Sequence, residues 1–291
     1  MSGTSTTIAN LPALGVGFGF REPYRADVFL HRDRIDFLEI TADHYLDASP
    51  EKIAELELLA DHFRLIPHGL NLSLGTAEGL DRDYRDALIA LVRKINPPWW
   101  SEHIAFTRGG GIEIGHLAPV PFSEEAVDVL VANINEVQAL IDVPFIVENI
   151  TQDYRISGAH TMEEADFLRA IVDRTGCGLL LDVTNLYTNH RNHGDDLDRF
   201  LDRIPGESVV QLHFAGGHEE RGKLIDSHSS PTPREIWNLL ERVVERFPVK
   251  GIILERDEDL PPFSEILHET DQAREVARRH GRCPSPTTRN S

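Results

Sequence analysis

The chain has 291 residues, 41% hydrophobic and 26% charged, which suits a soluble globular protein with a substantial core in one large domain or two. Its 48 acidic against 29 basic side chains give a net charge of -19, and no Lys/Arg cluster offsets it, so nucleic acid is excluded as a partner. The two cysteines, Cys177 and Cys283, build neither a disulfide framework nor a Cys-based zinc site, and no basic leader or membrane-length apolar run is present; a cytoplasmic protein without membrane association is expected.

Residues 1–12 are polar and aperiodic and are expected to form a disordered tail, as are residues 281–291, GRCPSPTTRNS. Between them, eight short apolar runs bounded by turn residues predict strands. They are LGVGFGF from residue 14, DFLEIT from 36, LIPHGLNLSL from 65, WWSEHIAF from 99, PFIVENI from 144, GLLLDVT from 178, SVVQLHFA from 208 and KGIILERD from 250. Helical periodicity fills the intervals in SPEKIAELELLADHF, DRDYRDALIALVRKI, SEEAVDVLVANINEVQALI, TMEEADFLRAIVDRT, TPREIWNLLERVVERF and SEILHETDQAREVARRH. Several open on Ser or Thr with acidic residues in the first turn, the chemistry of a helix N-cap.

Strands alternating with helices in this way predict an α/β fold, a single (β/α)8 TIM barrel over residues 13–280. A doubly wound open sheet competes, but GVGFGFREP runs into Arg-Glu-Pro without the G-x-x-G that opens a phosphate-binding helix. Two connections are long, TRGGGIEIGHLAPVPF after the fourth strand and AGGHEERGKLIDSHSSP after the seventh, and loops of that length are more often functional than idle.

A barrel places its site at the carboxyl ends of its strands. Here those ends carry Glu39, His68, Glu102 with His103, Glu148 with Asn149, Asp182 with Asn185, His213 and Glu255. Any one alone reads best as a hydrogen-bonded rim residue or a helix cap. Seven strands doing so together is different, because several carboxylates gathered in one cavity cost several kcal/mol unless cations neutralise them. A metal centre at the strand ends follows. Imidazole, carboxylate and amide without thiolate suit iron, manganese or catalytic zinc, and the number of donors suits two or more ions sharing carboxylates. Asp226 and His228, in LIDSH beyond His213, return to the same rim. His31, His62, His160, His268 and His280 read as solvated, His44 and His116 stay undecided, and Trp99 and Trp100 read as barrel packing.

The ordered set HGLNLSLG, SEHIAF, VENI, LLLDVTNLYTNHRNHG, QLHFAGGH, LIDSH and LERD resembles the multinuclear non-haem iron oxidative enzymes, over roughly residues 13 to 270. The resemblance implies two or three iron ions in mixed Fe(II)/Fe(III) states, O2 as co-substrate, and action on a residue, often a cysteine, of a ribosomally made precursor peptide. It also implies that peptide as partner, with or without a separate leader-peptide-binding protein. Carried onto this sequence, the metal ligands would be His68, His103, Glu148, Asp182, Asn185, His213, Asp226, His228 and Glu255. Glu148 would bridge ions, and Glu148, Asp182 and His213 would carry the catalysis. Glu102, His193 and His218 would lie beside this set. Thr184 stands where relatives commonly have Asn, D-S-H where they have D-T-H, and an extra Gly precedes His218. Two other readings remain: a Mn/Zn-dependent barrel hydrolase or isomerase of the xylose isomerase and endonuclease IV type, and a peptide-binding barrel without catalysis.

Overall fold

The computed structural model describes residues 8–155 and 157–282. Among the described residues twelve strands form: β1 (Gly15–Gly19), β2 (Leu38–Thr41), β3 (Leu65–His68), β4 (Trp100–His103), β5 (Ala105–Gly109), β6 (Ile112–Pro119), β7 (Phe145–Glu148), β8 (Gly178–Asp182), β9 (Val209–Phe214), β10 (Gly216–Glu220), β11 (Lys223–Ser230) and β12 (Gly251–Leu254). Eight of them close a barrel in the order β1-β12-β9-β8-β7-β4-β3-β2, every pair parallel. These are the eight apolar runs read from the sequence, continuous because parallel strands are buried on both faces.

The helices follow their caps. Ser49, Asp81 and Ser123 each accept the backbone N–H three residues on, opening Pro50–His62, Arg82–Ile95 and Glu124–Gln138. The outer ring of helices packs on the barrel through one large apolar core. A second, smaller core fills the barrel floor with Leu14, Phe37, Ile66, Trp99, Ile146, Leu180, Val210 and Ile253. Gly251 leaves room for it: a Cβ there would lie 3.0 Å from the Phe37 ring and 3.2 Å from that of Trp99. Strand periodicity then sets the site, because successive side chains alternate faces. Two residues beyond Phe37, Ile66, Ile146, Leu180 and Ile253, in the same inward direction, stand Glu39, His68, Glu148, Asp182 and Glu255.

Three expectations change. Residues 8–12, assigned to the N-terminal tail, include a 3-10 turn at Ile8–Asn10 and the buried Leu11, which packs into the barrel floor; residues 1–7 and 283–291, with Cys283, lie outside the described residues. The two long connections are antiparallel hairpins, β5–β6 and β10–β11, rather than loops. The segment after Asp182 is a helix, Val183–His193, that the apolar periodicity does not predict. No helix among the described residues is long and apolar enough to cross a membrane.

Buried acids also lie apart from the strand ends, Glu164 among them. Glu164 opens the helix Glu164–Thr175, and burial, reinforced by Asp195, pushes its carboxyl up to about 8. A carboxyl raised in the folded state costs stability as pH climbs above its ordinary range, and the penalty levels off above about pH 8. The metal-free Glu164→Gln variant is therefore expected to match the parent near pH 4.5 and to exceed it by a few kcal/mol at pH 8. Urea midpoints of both proteins at the two pH values check this; a difference that does not grow with pH would contradict it.

Candidate metal centre

The strand ends converge on a cavity of about 610 Å³ lined by His68, His103, Glu148, Asn185, Asp226, His228 and Glu255 among others. Asp182 and His213, both fully buried, join the same cluster. Two sets of donor atoms lie close enough to share an ion, His68–Glu148–His213 and Glu148–Asp182–His213–Glu255, with all atoms of each set within 4.8 Å of one another. Glu148 and His213 belong to both.

The distances have the scale of a coordination sphere. Glu148 Oε2 is 3.3 Å from Nε2 of both His68 and His103, and those two nitrogens are 3.2 Å apart. One ion held about 2.1 Å from three donors imposes edges of that length on them. On the other side of the same carboxylate, His213 Nδ1 lies 3.4 Å from Glu148 Oε1 and 3.1 Å from Glu255 Oε2.

Each histidine presents one nitrogen to the cavity because its other nitrogen is held. Ser101 Oγ is 2.7 Å from His68 Nδ1, and the Gly69 carbonyl is 3.1 Å from His103 Nδ1. Glu39 Oε1 is 2.9 Å from His213 Nε2, and Asp257 Oδ2 is 3.0 Å from His228 Nδ1. Behind Glu39 the chain continues: Gln211 Nε2 donates to Glu39, and Trp99 Nε1 donates to Gln211 Oε1 at 2.8 Å. Partners of this kind fix ring orientation and raise ligand basicity in metal sites.

What remains on the cavity side lacks partners. Glu148 Oε2, Asp182 Oδ2, His213 Nδ1, Asp226 Oδ1 and His228 Nε2 are buried without a hydrogen bond. The 2.9 Å approach of Asp226 Oδ1 to His228 Nε2 is too poorly aligned to count as one. Buried polar atoms are nearly always satisfied, and five orphans converging on one cavity fit metal ions.

The electrostatics of the metal-free site agree. Burial first, then Asp226, Glu148 and Glu255, holds the Asp182 carboxyl well above the usual range. Burial likewise raises Glu39 and Glu102. Burial opposes charge on His103, but Glu148, Glu102 and Glu255 outweigh it and bring that imidazole to about 9. His68, by burial and by the facing His103 and His213, stays well below the ordinary value. A site with this many mutually perturbed groups is short of positive charge.

His68, Glu148, Asp182, His213 and Glu255 fall in the two donor sets, and His103, Asn185, Asp226 and His228 line the cavity beside them. Asp182 Oδ1 caps the helix Val183–His193 by accepting Asn185 N–H at 2.7 Å, which leaves Oδ2 to the cavity. Asn185 lines the cavity, while its side-chain oxygen takes the Thr151 hydroxyl and its Nδ2 donates to Asn149 O at 3.2 Å. Asn149 in turn receives Asp182 N–H at 2.8 Å. Thr184 ties the helix to the end of β9, beyond His213, by accepting Ala215 N–H at 2.8 Å.

Of the residues placed beside the ligands, Glu102 stands behind His103 and accepts Leu72 N–H at 3.1 Å. His193 braces the Gln152 carbonyl at 2.5 Å. His218 is exposed on the hairpin, 2.9 Å from Ser227 Oγ. The undecided His44 and His116 both line the mouth. His62 and His268 are exposed as expected, whereas His31, His160 and His280 are half-buried. Trp100 stacks on Phe145 and Trp99 belongs to the floor, so both are packing residues.

The supporting roles of Ser101, Gln211, Glu39 and Asp257 emerge only in the structure. Ser101 and Gln211 carried a signal, each being polar and two residues upstream of a strand-end histidine, hence on its inward face. If Glu39 orients His213 as the geometry indicates, Glu39→Gln is expected to weaken metal binding by roughly 10–100-fold without loss of fold. Calorimetric titration of the metal-free protein with Fe(II) without oxygen, beside a thermal melt, checks this; unchanged affinity would contradict it.

Fold and site together define a (β/α)8 barrel whose strand ends gather donor sets that could hold metal ions. Solved barrels share that architecture: D-psicose 3-epimerase from Clostridium cellulolyticum superposes with a TM-score of 0.56 at 14% identity, over 91% of this chain and 96% of that one. Endonuclease IV from Thermus thermophilus gives 0.55 at 14%, over 91% and 98%. At such identity the likeness concerns fold alone.

Sequence relatives go further. A UPF0276 protein of Rhizorhabdus wittichii is 36% identical over 269 residues, 91% of this chain and 96% of that one. One from Caulobacter vibrioides is 35% identical over 264 residues, 90% and 94%. Residues 15–278 match the family described as RiPP precursor modification enzyme MbnB/TglH/ChrH, and the chain belongs to that family.

Proposed function

We propose that the protein is an iron-dependent oxidoreductase that uses O2 to modify a residue, often a cysteine, of a ribosomally synthesised precursor peptide. The observation that carries the reading is the pair of ligand sets joined through Glu148 and His213. Two sets sharing a carboxylate suit a centre of two or more ions, and imidazole and carboxylate donors without thiolate suit iron. When bound, iron in two oxidation states would supply O2 reduction and Lewis acidity at one centre.

The chain's own residues supply the rest. Glu148, Asp182 and Glu255 furnish the negative charge that holds cations in a buried site, and His68, His103 and His213 add neutral donors when deprotonated. The outward partners of each imidazole fix its direction. Asn149, Thr151 and Asn185 brace the helix that Asp182 caps, so the carboxylate cannot swing from the cavity. A cavity of about 610 Å³ accommodates one side chain with its neighbours rather than a folded partner. Leu70, Ile150 and Leu117 offer apolar surface there, and Arg21, His44 and His116 polar contacts for a peptide backbone.

The test is incubation of iron-loaded protein with a candidate cysteine-containing precursor peptide. Consumption of O2 coupled to a change in peptide mass, absent without iron, is the expected result. An unchanged peptide, with turnover of a sugar or a phosphodiester by Mn- or Zn-loaded protein, would contradict it.

A further inference from the structure

Six donors, His68, His103, Glu148, Asp182, His213 and Glu255, sit on or directly after barrel strands whose backbones are locked on both sides. Asp226 and His228 do not. They ride on β11 of a two-stranded hairpin, and a hairpin alone does not fix side chains to the tolerance a ligand needs. His228 moreover has φ +52°, a left-handed backbone that a non-glycine residue keeps only when its surroundings over-determine it.

One residue outside the hairpin holds both the backbone and the ring of His228. Asp257, just beyond β12, donates its backbone N–H to the His228 carbonyl at 3.1 Å, and its Oδ2 lies 3.0 Å from His228 Nδ1. Its other oxygen, Oδ1, takes the guanidinium of Arg21, which is itself tethered to the Phe20 carbonyl at 2.9 Å. A connection thus runs from the end of β1, through the end of β12, to the hairpin. With Nδ1 engaged, His228 Nε2 is directed to Asp226 Oδ1, both of them among the buried atoms left without hydrogen bonds. At the far end of β11, Asn192 holds Leu224 through both backbone groups, at 2.8 and 2.9 Å, and Lys223 Nζ donates to Asp153 O at 3.5 Å, whereas the Asp257 contacts are made at the donors' own end of the strand.

We infer that Asp257, held by Arg21, is a positioning residue that sets the hairpin donors Asp226 and His228 as an outer metal subsite, separable from the strand-borne donors beneath. This rests on Asp226 and His228 being ligands, as the proposed function has them. The outer subsite is assembled by a side-chain latch, the inner donors by the barrel itself, so the two respond differently to loss of the latch.

The experiment is anaerobic titration of the metal-free, full-length protein with Co(II), followed by d–d absorption and by metal analysis after gel filtration. The variants are Asp226→Ala, Asp257→Ala, Asp257→Asn and the Asp226→Ala/Asp257→Ala double. The parent is expected to show a weakest Co(II) equivalent that Asp226→Ala abolishes. Asp257→Ala is expected to weaken that equivalent by about 10–100-fold and to leave the tighter ones unmoved. Asp257→Asn, which can still accept from the ring N–H, is expected to recover part of the loss, and the double variant to match Asp226→Ala. Unchanged affinities in Asp257→Ala, an equal weakening of every equivalent, or a double variant weaker than Asp226→Ala would each overturn the inference. Unchanged Co(II) uptake in Asp226→Ala would instead sink the ligand assignment on which it rests.

Discussion

Replacement of Glu148 by alanine is expected to empty the centre and to lower turnover by at least ~10³-fold, because the metal carries the chemistry. No other side chain is placed to substitute. Its Oε2 meets His68 and His103 at 3.3 Å each, its Oε1 meets His213 at 3.4 Å, and both donor sets contain it. The fold is expected to survive. Glu148 contributes no hydrogen bond through Oε2, and the space it vacates adjoins a polar cavity that water can fill. Removing it also relieves the crowding of Asp182 and Glu39 by a third buried carboxylate. Metal analysis and a thermal melt of the purified variant check both halves. A variant with a full complement of metal and parental activity would contradict the assignment.

The second large effect is expected at Asp182, where two substitutions separate two roles. Asp182→Asn keeps an oxygen able to accept Asn185 N–H and so keeps the helix cap, but loses the charge that Oδ2 brings to the cavity. Metal content is expected to fall as it does for Glu148, while the metal-free protein becomes at least as stable as the parent, since a neutral amide ends the conflict with Asp226, Glu148 and Glu255. Asp182→Ala loses the cap as well, and is expected to be less stable than Asp182→Asn by about 1 kcal/mol. Denaturant melts of the metal-free proteins check the order. Equal stability of the two variants would remove the capping role, and full metal content in Asp182→Asn would remove the ligand role.

The barrel was legible because each strand is buried on both faces and reads as an apolar run stopped by a polar residue. The strand-end donors were legible for the same reason: the polar stop is where the floor ends and the cavity begins. The hairpins were not. RGGGIEIGH and GHEERGKLIDSH lack clean alternation, and their glycine and charge content suggests a loop. The helix after Asp182 was hidden by its own chemistry, since VTNLYTNHRNH buries Thr184, Asn185, Thr188 and Asn189 beside Val183 and Leu186 and so shows no clean apolar stripe. The partners of the histidines depend on which ring nitrogen faces the cavity, a fact of three dimensions. Glu39 stands at a strand end in the sequence, but its place beneath His213 depends on the register of β2, β9 and β12 around the closed barrel. Asp257 follows Glu255 by two residues and yet serves the hairpin donor His228, a link that no spacing within either segment reveals.

The central claim is a buried multinuclear iron centre, and metal analysis coupled to Mössbauer spectroscopy tests it most directly. The protein would be purified without oxygen from iron-supplemented cells. More than one iron per chain, with coupled ferric and ferrous signals, is the expected result. Zinc or manganese alone, with no iron uptake on reconstitution, would contradict the oxidative reading and favour a hydrolase or isomerase built on the same barrel.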